Sequence, residues 1–178
     1  MSYLKVNEGY ASYSNNVAKN EKNDCVVRSL ASATGVDYDT AHKFAKEVFG
    51  REDKKGTSNL NIVATMYNAE DKGMEIGGKK FKVEVLGKAR TKNLYKVHGE
   101  EIYRKKTIAS FMKDNPKGTY LVMVANHAFT IMDGEVFDWS GNAFKPNRKV
   151  QSAYLLEAQK TNIGLSLIHI SEPTRLGM

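Results

Sequence analysis

Hydrophobic residues recur at helical spacing in the first part of the chain and at strand-like spacing later on. The segment CVVRSLASAT lies between Asn23-Asp24 and Gly35. It predicts a short helix that Asn23 or Asp24 caps and that Gly35 ends. Because the segment is apolar on most sides, we expect this helix to be buried. A second, amphipathic helix is predicted between Asp37 as its cap and Gly50 as its end.

The rest of the pattern predicts two more helices and two isolated strands. The helices are expected at 60–67, with Ser58 as cap, and at 108–113, with Thr107 as cap; the strands are expected at 81–86 and 150–156. Residues 88–106 are basic and show no periodic pattern, so no element is predicted there. Helices that come before antiparallel strands are typical of an α+β domain.

The segment 118–141, GTYLVMVANHAFTIMDGEVFDWSG, predicts a β-hairpin. Residues 119–132 are rich in β-branched and aromatic side chains, and we expect them to form one strand. Asp133-Gly134 is a preferred two-residue turn, after which 135–139 return as the second strand.

The predicted turn fixes which side chains of the hairpin share a face. One face then carries six residues: His127, Phe129, Ile131, Val136, Asp138 and Ser140. His127 and Asp138 become diagonal neighbours on it, with Cα atoms roughly 7–8 Å apart and within reach of a hydrogen bond from Nδ1–H to the carboxylate. A three-residue turn would instead place these two side chains on opposite faces.

The composition fits one domain with a sizeable core, since the chain has 178 residues, 41% of them apolar and 26% charged. No apolar run is long enough to span a bilayer, and the N-terminal segment MSYLKVNEGY lacks the apolar region of a signal peptide. Cys25 is the only cysteine, so no internal disulfide can form. We therefore expect a cytoplasmic protein with no membrane partner.

The net charge of +7 comes mainly from lysines spread along the chain. Such a surface usually serves solubility, although it could also attract an acidic substrate, an acidic partner or nucleic acid. Few arginines and no interleaving of aromatic with basic residues argue against nucleic acid without excluding it.

Two terminal segments are set apart from the domain, which we place at 23–157. Residues 1–22 are polar and mixed, and they predict an irregular arm that packs across the domain. Residues 164–178 contain LSLIHISEPTR, which resembles the translation of a sequencing adapter. We therefore treat 164–178 as a non-native tail.

Three residues supply the groups of a cysteine nucleophile and its base. Cys25 lies in the first turn of a predicted helix, where unpaired N–H groups and the helix dipole favour a thiolate. His127 would accept and return the proton, and Asp138 would orient the imidazole. Taken singly, a cysteine on an apolar helix is usually a packing residue, and a histidine in a strand is usually structural.

The remaining histidines and glycines indicate no second site. His42 lies off the apolar stripe of the second predicted helix, so we expect it to be solvated, and His98 receives no role. No Cys/His cluster has metal-ligand spacing, and no Gly-rich phosphate loop follows a strand. The sequence therefore predicts neither a metal nor a cofactor.

The motif NDC at a helix start, followed by GTYLVMVANHAFTIMDGEVFDW, resembles the papain-like cysteine peptidase fold. The resemblance is closest to the C39-like peptidase branch and its uncharacterised phage-encoded relatives, and it covers roughly residues 20–157. It implies an α+β fold in which N-terminal helices, one of them carrying Cys25, pack on a C-terminal antiparallel sheet that carries His127 and then Asp138.

One departure from this resemblance concerns the oxyanion hole. Papain-like enzymes usually place a glutamine a few residues before the cysteine, whereas the glutamines here are Gln151 and Gln159. Asn20 or Asn23 could donate instead, with Asn20 at the better spacing. Loss of one oxyanion donor can slow a reaction by roughly 10²–10³.

The resemblance implies a phage-encoded cysteine hydrolase, working in the host cytoplasm, that cleaves an amide or peptide bond through a Cys25-His127-Asp138 triad and a thioester. Its substrate would be a peptide, a protein (for example a host protein) or a small amide. The alternative is a non-catalytic papain-like binding protein that sequesters a ligand or blocks a host protein. Nucleic-acid binding is the third and least favoured interpretation.

Overall fold

The computed structural model describes residues 6–7, 23–138 and 147–159. The predicted arm at 1–22, apart from the strand at 6–7, and the adapter-like tail at 164–178 lie outside the described residues.

Four of the five helices in the described residues begin or extend close to where the sequence predicts. The helices are α1 Cys25–Thr34, α2 Tyr38–Glu47, α3 Asn59–Lys72, α4 Lys88–Thr91 and α5 Ile108–Asp114. The predicted caps of α2, α3 and α5 are confirmed, because Asp37, Ser58 and Thr107 each accept a hydrogen bond from the backbone N–H three residues on. The unpredicted helix is α4.

Most of the strands form one sheet. The strands are β1 Val6–Asn7, β2 Met74–Ile76, β3 Lys79–Val85, β4 Lys92–Val97, β5 Glu100–Lys105, β6 Thr119–Val124, β7 His127–Met132, β8 Glu135–Phe137 and β9 Ser152–Ala158. Seven of them pair in the order β1-β8-β7-β6-β9-β3-β2, and β4-β5 form a separate ribbon. All pairings are antiparallel except that of β1 with β8. The predicted α+β class, with helices on an antiparallel sheet, is confirmed.

Apolar side chains are buried on both faces of this sheet. On one face, Leu30 of α1 belongs to the same buried cluster as Leu121 of β6. On the other face, Phe111 of α5 belongs to a second cluster with Phe129 of β7. No helix in the described part of the chain has the length and apolar character needed to cross a membrane.

The central hairpin has the predicted register but one more strand than predicted. The turn at Asp133-Gly134 has φ values of 48° and 78°, and β7 and β8 pair Ile131 with Val136, as a two-residue turn requires. The single strand predicted at 119–132 is wrong, because the chain reverses between β6 and β7 at Asn126, where φ is 60°. Both faces of the flanking strands are buried, so only the short polar interruption Asn126-His127 within an apolar stretch marks the turn.

Residues 88–106 also contain structure that was not predicted. They form α4 and the β4–β5 ribbon, whose turn at His98-Gly99 has φ values of 51° and 80°. Much of the ribbon is solvated, including Tyr95 and Tyr103, so no apolar alternation identifies it in the sequence.

Candidate active site

Helix α1 carries Cys25 as its first residue and positions it over the start of β7. The hydroxyl of Thr130 on β7 donates to the carbonyl oxygen of Ser29 at 2.7 Å, which ties the helix to the strand across 101 residues of sequence. Every residue of α1 after Cys25 is buried, as predicted for this helix. Cys25 itself is partly exposed, so its thiol is not sealed inside hydrocarbon.

His127 and Asp138 form the pair expected from the hairpin register. Nε2 of His127 lies 2.7 Å from Oδ2 of Asp138, and the Asp138 side chain is 1% exposed. The predicted use of Nδ1 is wrong. Strand register fixes the distance between the two side chains, whereas rotation of the ring decides which nitrogen faces the acid.

Cys25 lies close enough to His127 for its side chain to influence the pKa of the imidazole, as Asp138 does. Burial of the ring is the largest single influence on its pKa and lowers it. The hydrogen bonds to Asp138 and Cys25, together with the negative charges of both, outweigh burial and raise the pKa of His127 to about 9. A charged imidazole at neutral pH is the partner that stabilises a thiolate.

The thiol and the imidazole border a cavity of about 490 Å³, a size typical of ligand sites. Among the described residues, its floor is apolar and includes Val26, Ile62 and Met123. Its rim carries neutral polar side chains: Asn23, Thr57, Asn59, Asn126 and Gln151. The rim can therefore hydrogen-bond to a carbonyl or amide group.

The described oxyanion candidate, Asn23, lines this cavity but is already engaged. Its side-chain amide donates to the carbonyl oxygen of Lys54 at 3.1 Å. The amide has a second N–H, so one donor is left to face a substrate. The other candidate, Asn20, lies outside the described residues.

Sequence reasoning missed Gln151 as a residue of the site. The backbone N–H of Gln151 donates to the carbonyl oxygen of Met123 at 2.8 Å, which places Gln151 at the cavity rim beside the end of β6. Its position depends on the pairing of β9 with β6. No local signal in the sequence reports that pairing.

The N-terminus of α1 departs from the predicted capping. Asp24 occupies the cap position but makes no side-chain cap hydrogen bond. Its carboxylate contacts Arg28 and Tyr38 instead. The predicted cap at Asp24 is therefore not made by its side chain.

The other two described histidines lie elsewhere in the structure. The prediction that His42 is solvated is wrong, since its side chain is only 15% exposed, its ring stacks on Tyr38 and Nε2 lies 3.7 Å from Asp53. His98 is exposed in the turn of the β4–β5 ribbon. Among the described residues, no group of three or more His, Cys, Asp or Glu side chains could hold a metal ion.

No protein-family model, curated protein or solved structure matches this chain. The resemblance to papain-like peptidases therefore stays a prediction from two short motifs.

Proposed function

We propose that this protein is a cysteine hydrolase that cleaves an amide or peptide bond. Cys25 is the nucleophile, His127 the proton carrier, and Asp138 the residue that orients and charges the imidazole. The observation that supports this most strongly is the 2.7 Å contact of His127 with the buried Asp138, with Cys25 near enough to help raise the pKa of the same imidazole. The proposal includes the papain-like fold and a cytoplasmic site of action.

The proposed reaction runs through a thioester. The Cys25 thiolate attacks the carbonyl carbon, and the carbonyl oxygen becomes an oxyanion that the backbone N–H of Cys25 and the amide of Asn23 would stabilise. The imidazolium of His127 gives its proton to the leaving amine as the C–N bond breaks. Imidazole then removes a proton from water, hydroxide attacks the thioester, and the acid leaves as the thiolate and imidazolium are restored.

A purely structural role explains this arrangement less well. A packing cysteine would be buried among apolar groups, yet Cys25 borders an open cavity and contacts an imidazole. Burying Asp138 beneath His127 also removes a carboxylate from water, which costs free energy of folding. A functional role for the pair gives a reason for a protein to keep this costly arrangement.

The same chemistry would serve related reactions. A deamidase would attack a side-chain carboxamide, and an acyl transferase would pass the thioester to an acceptor other than water. A peptide, a protein such as a host protein, or a small amide would all present the required carbonyl.

Alkylation of Cys25 tests this proposal without knowledge of the substrate. We expect iodoacetamide to modify native protein rapidly at pH 6.5, as followed by intact mass, because the imidazolium stabilises a thiolate. Replacing His127→Asn should slow the reaction on the order of tenfold, since the gain in thiolate is partly offset by its lower nucleophilicity. His98→Asn is the matched control, because His98 is an exposed histidine away from Cys25.

Cys25→Ser checks that the mass change comes from this residue. A wild-type thiol that reacts only after unfolding, or a rate that His127→Asn leaves unchanged, would contradict the proposal.

A non-catalytic binding protein is the second candidate, favoured by the engagement of the Asn23 amide with Lys54. If holding Lys54 directs the second N–H of Asn23 away from the oxyanion, Cys25 would be reactive and yet turn over slowly. An activated ester, p-nitrophenyl acetate, separates the two. The hydrolase should release one equivalent of nitrophenolate in a burst and then continue, whereas a binder with a reactive Cys25 should release at most one equivalent and then fall to the rate of Cys25→Ser.

A further inference from the structure

The capping of α1 differs from that of three other helices in the described chain. Helices α2, α3 and α5 begin at Asp37, Ser58 and Thr107, and each of these side chains caps its helix. Helix α1 has Asp24 at the same position, and aspartate is among the best caps. The Asp24 side chain nevertheless makes no cap hydrogen bond. The backbone of Asp24 has φ −107° and ψ 24°, outside the extended region that the three capping residues adopt, and its carboxylate is directed to other partners.

Two buried side chains hold it. Oδ2 of Asp24 accepts a hydrogen bond from Nε of Arg28 at 3.0 Å and another from the hydroxyl of Tyr38 at 2.7 Å. The guanidinium of Arg28 also lies over the Tyr38 ring, 5.4 Å from its centroid. The three side chains are almost fully buried, at 6%, 6% and 0% exposed in the order Asp24, Arg28, Tyr38. Buried charge-assisted hydrogen bonds of this kind fix geometry strongly.

This arrangement has two consequences for Cys25, the next residue. First, the carboxylate does not accept from the N–H groups of Val26 or Val27, which a capping aspartate would engage. Second, Arg28 offsets a negative charge that would otherwise stand unpaired beside the thiolate and disfavour it. Both consequences favour the thiolate form of Cys25.

Building on the hydrolase function proposed above, we propose that Asp24, Arg28 and Tyr38 are positioning residues that keep the N-terminus of α1 uncapped. The first-turn N–H groups are then available to the sulfur of Cys25 and to the oxyanion formed on its substrate. A plain structural role, joining α1 to α2 through Tyr38, is the competing explanation. It predicts changes in stability but none in the reactivity of Cys25.

The charged and titratable side chains that the described structure places around Cys25 come from both sides. His127 and Asp138 come from the sheet side, Asp24 and Arg28 from the start of α1, and Tyr38 from α2. Replacing Arg28 keeps both His127 and Asp138. A change in the reactivity of Cys25 would therefore report on the cluster of Asp24, Arg28 and Tyr38.

The test is the pH profile of iodoacetamide alkylation in the full chain. With Arg28→Met, the Asp24 carboxylate loses its cation, and residue 24 can then rotate to the extended backbone from which the other three caps act. We expect the midpoint of the profile to rise by about one pH unit, which slows alkylation roughly tenfold at pH values below the wild-type midpoint. The double variant Asp24→Ala with Arg28→Met removes the carboxylate as well, and we expect it to return the midpoint toward that of the wild type.

Lys106→Met is the matched control. It also breaks a cation–carboxylate pair with a buried cation, Lys106 with the exposed Asp114 at 2.6 Å, next to α5 on the other face of the sheet. We expect it to lower the unfolding midpoint in denaturant without moving the alkylation profile. If Arg28→Met does not fold, Tyr38→Phe removes one donor and no charge, and it should slow alkylation about twofold in the same direction.

The outcomes separate the two proposals. An unreactive wild-type Cys25 overturns the hydrolase function and this inference with it. A reactive wild type whose profile is unmoved by Arg28→Met, or by Tyr38→Phe in its place, overturns this inference alone. The inference also fails if the double variant keeps the raised midpoint, because the carboxylate is then not responsible.

Discussion

The two ends of α1 both open onto cavities of similar size, yet they differ in how their backbone groups are satisfied. The cavity at the Cys25 end measures about 490 Å³ and the one at the Gly35 end about 460 Å³. At the Gly35 end, the backbone N–H of Gly35 donates to Ala31 and Nζ of Lys79 donates to the carbonyl oxygen of Gly35 at 3.1 Å. At the Cys25 end, the cap residue is drawn away.

This difference shows that cavity volume does not identify the functional end of the helix. The Gly35 end is closed by a left-handed glycine with φ of 73° and by a lysine, as helix C-termini commonly are. At the Cys25 end the side chain of the cap residue accepts no hydrogen bond from the first turn, and the helix begins at the cavity. The hydrogen bonds at the Gly35 end hold α1 in place. Cys25, at the other end, then has a defined position relative to β7.

The largest expected effect at the open end is a dependence of stability on pH. The pKa of His127 is raised from 6.5 to about 9 in the folded protein. A raised pKa stabilises the fold fully below pH 6.5, and this stabilisation is lost as the pH rises through 9. We expect the free energy of unfolding of the wild type to fall by up to about 3 kcal/mol over that range relative to that of His127→Asn. Urea unfolding at several pH values measures the difference, and parallel curves for the two proteins would contradict it.

The next effect concerns Asp138, which faces away from the cavity behind His127. Asp138→Asn keeps the shape of the side chain but removes its charge, so the imidazolium loses part of its stabilisation. We expect alkylation of Cys25 at pH 6.5 to slow roughly tenfold, which is about 1.4 kcal/mol. Asp114→Asn serves as the control, because Asp114 pairs with Lys106 away from this site. Equal rates for the two variants would remove Asp138 from the proposed machinery.

The smallest effect is expected at the closed end. Lys79→Ala removes a cation that hydrogen-bonds the last carbonyl groups of α1. We expect it to lower the free energy of unfolding by roughly 0.5–1 kcal/mol, because a cation near a helix C-terminus contributes about that much. The alkylation rate of Cys25 should stay at the wild-type value. A slower rate would show that the two ends of the helix are coupled and not independent.

The parts of the fold that were predictable from sequence are those set by local chemistry. The caps at Asp37, Ser58 and Thr107 depend on side chains three residues from their partners. The turn at Asp133-Gly134 fixes a register, and that register brings His127 to Asp138. These features require no knowledge of the rest of the chain.

The features that were missed depend on tertiary context. The turn at Asn126 is hidden because apolar residues continue on both sides of it and both sheet faces are buried. Asp24 and Arg28 have the spacing of a helical ion pair, and that signal could have warned against Asp24 as a cap. The role of Tyr38 could not be predicted, because it depends on how α2 packs against α1.

The most direct test of the central claim is the titration of His127, followed by nuclear magnetic resonance of its ring in the wild type and in Cys25→Ser. The account predicts a pKa near 9 in the wild type, since both Asp138 and Cys25 raise it. In Cys25→Ser the pKa should fall, because one hydrogen bond and one negative charge are removed. A His127 that titrates near 6.5 in both proteins would contradict the thiolate–imidazolium pair on which the proposed function rests.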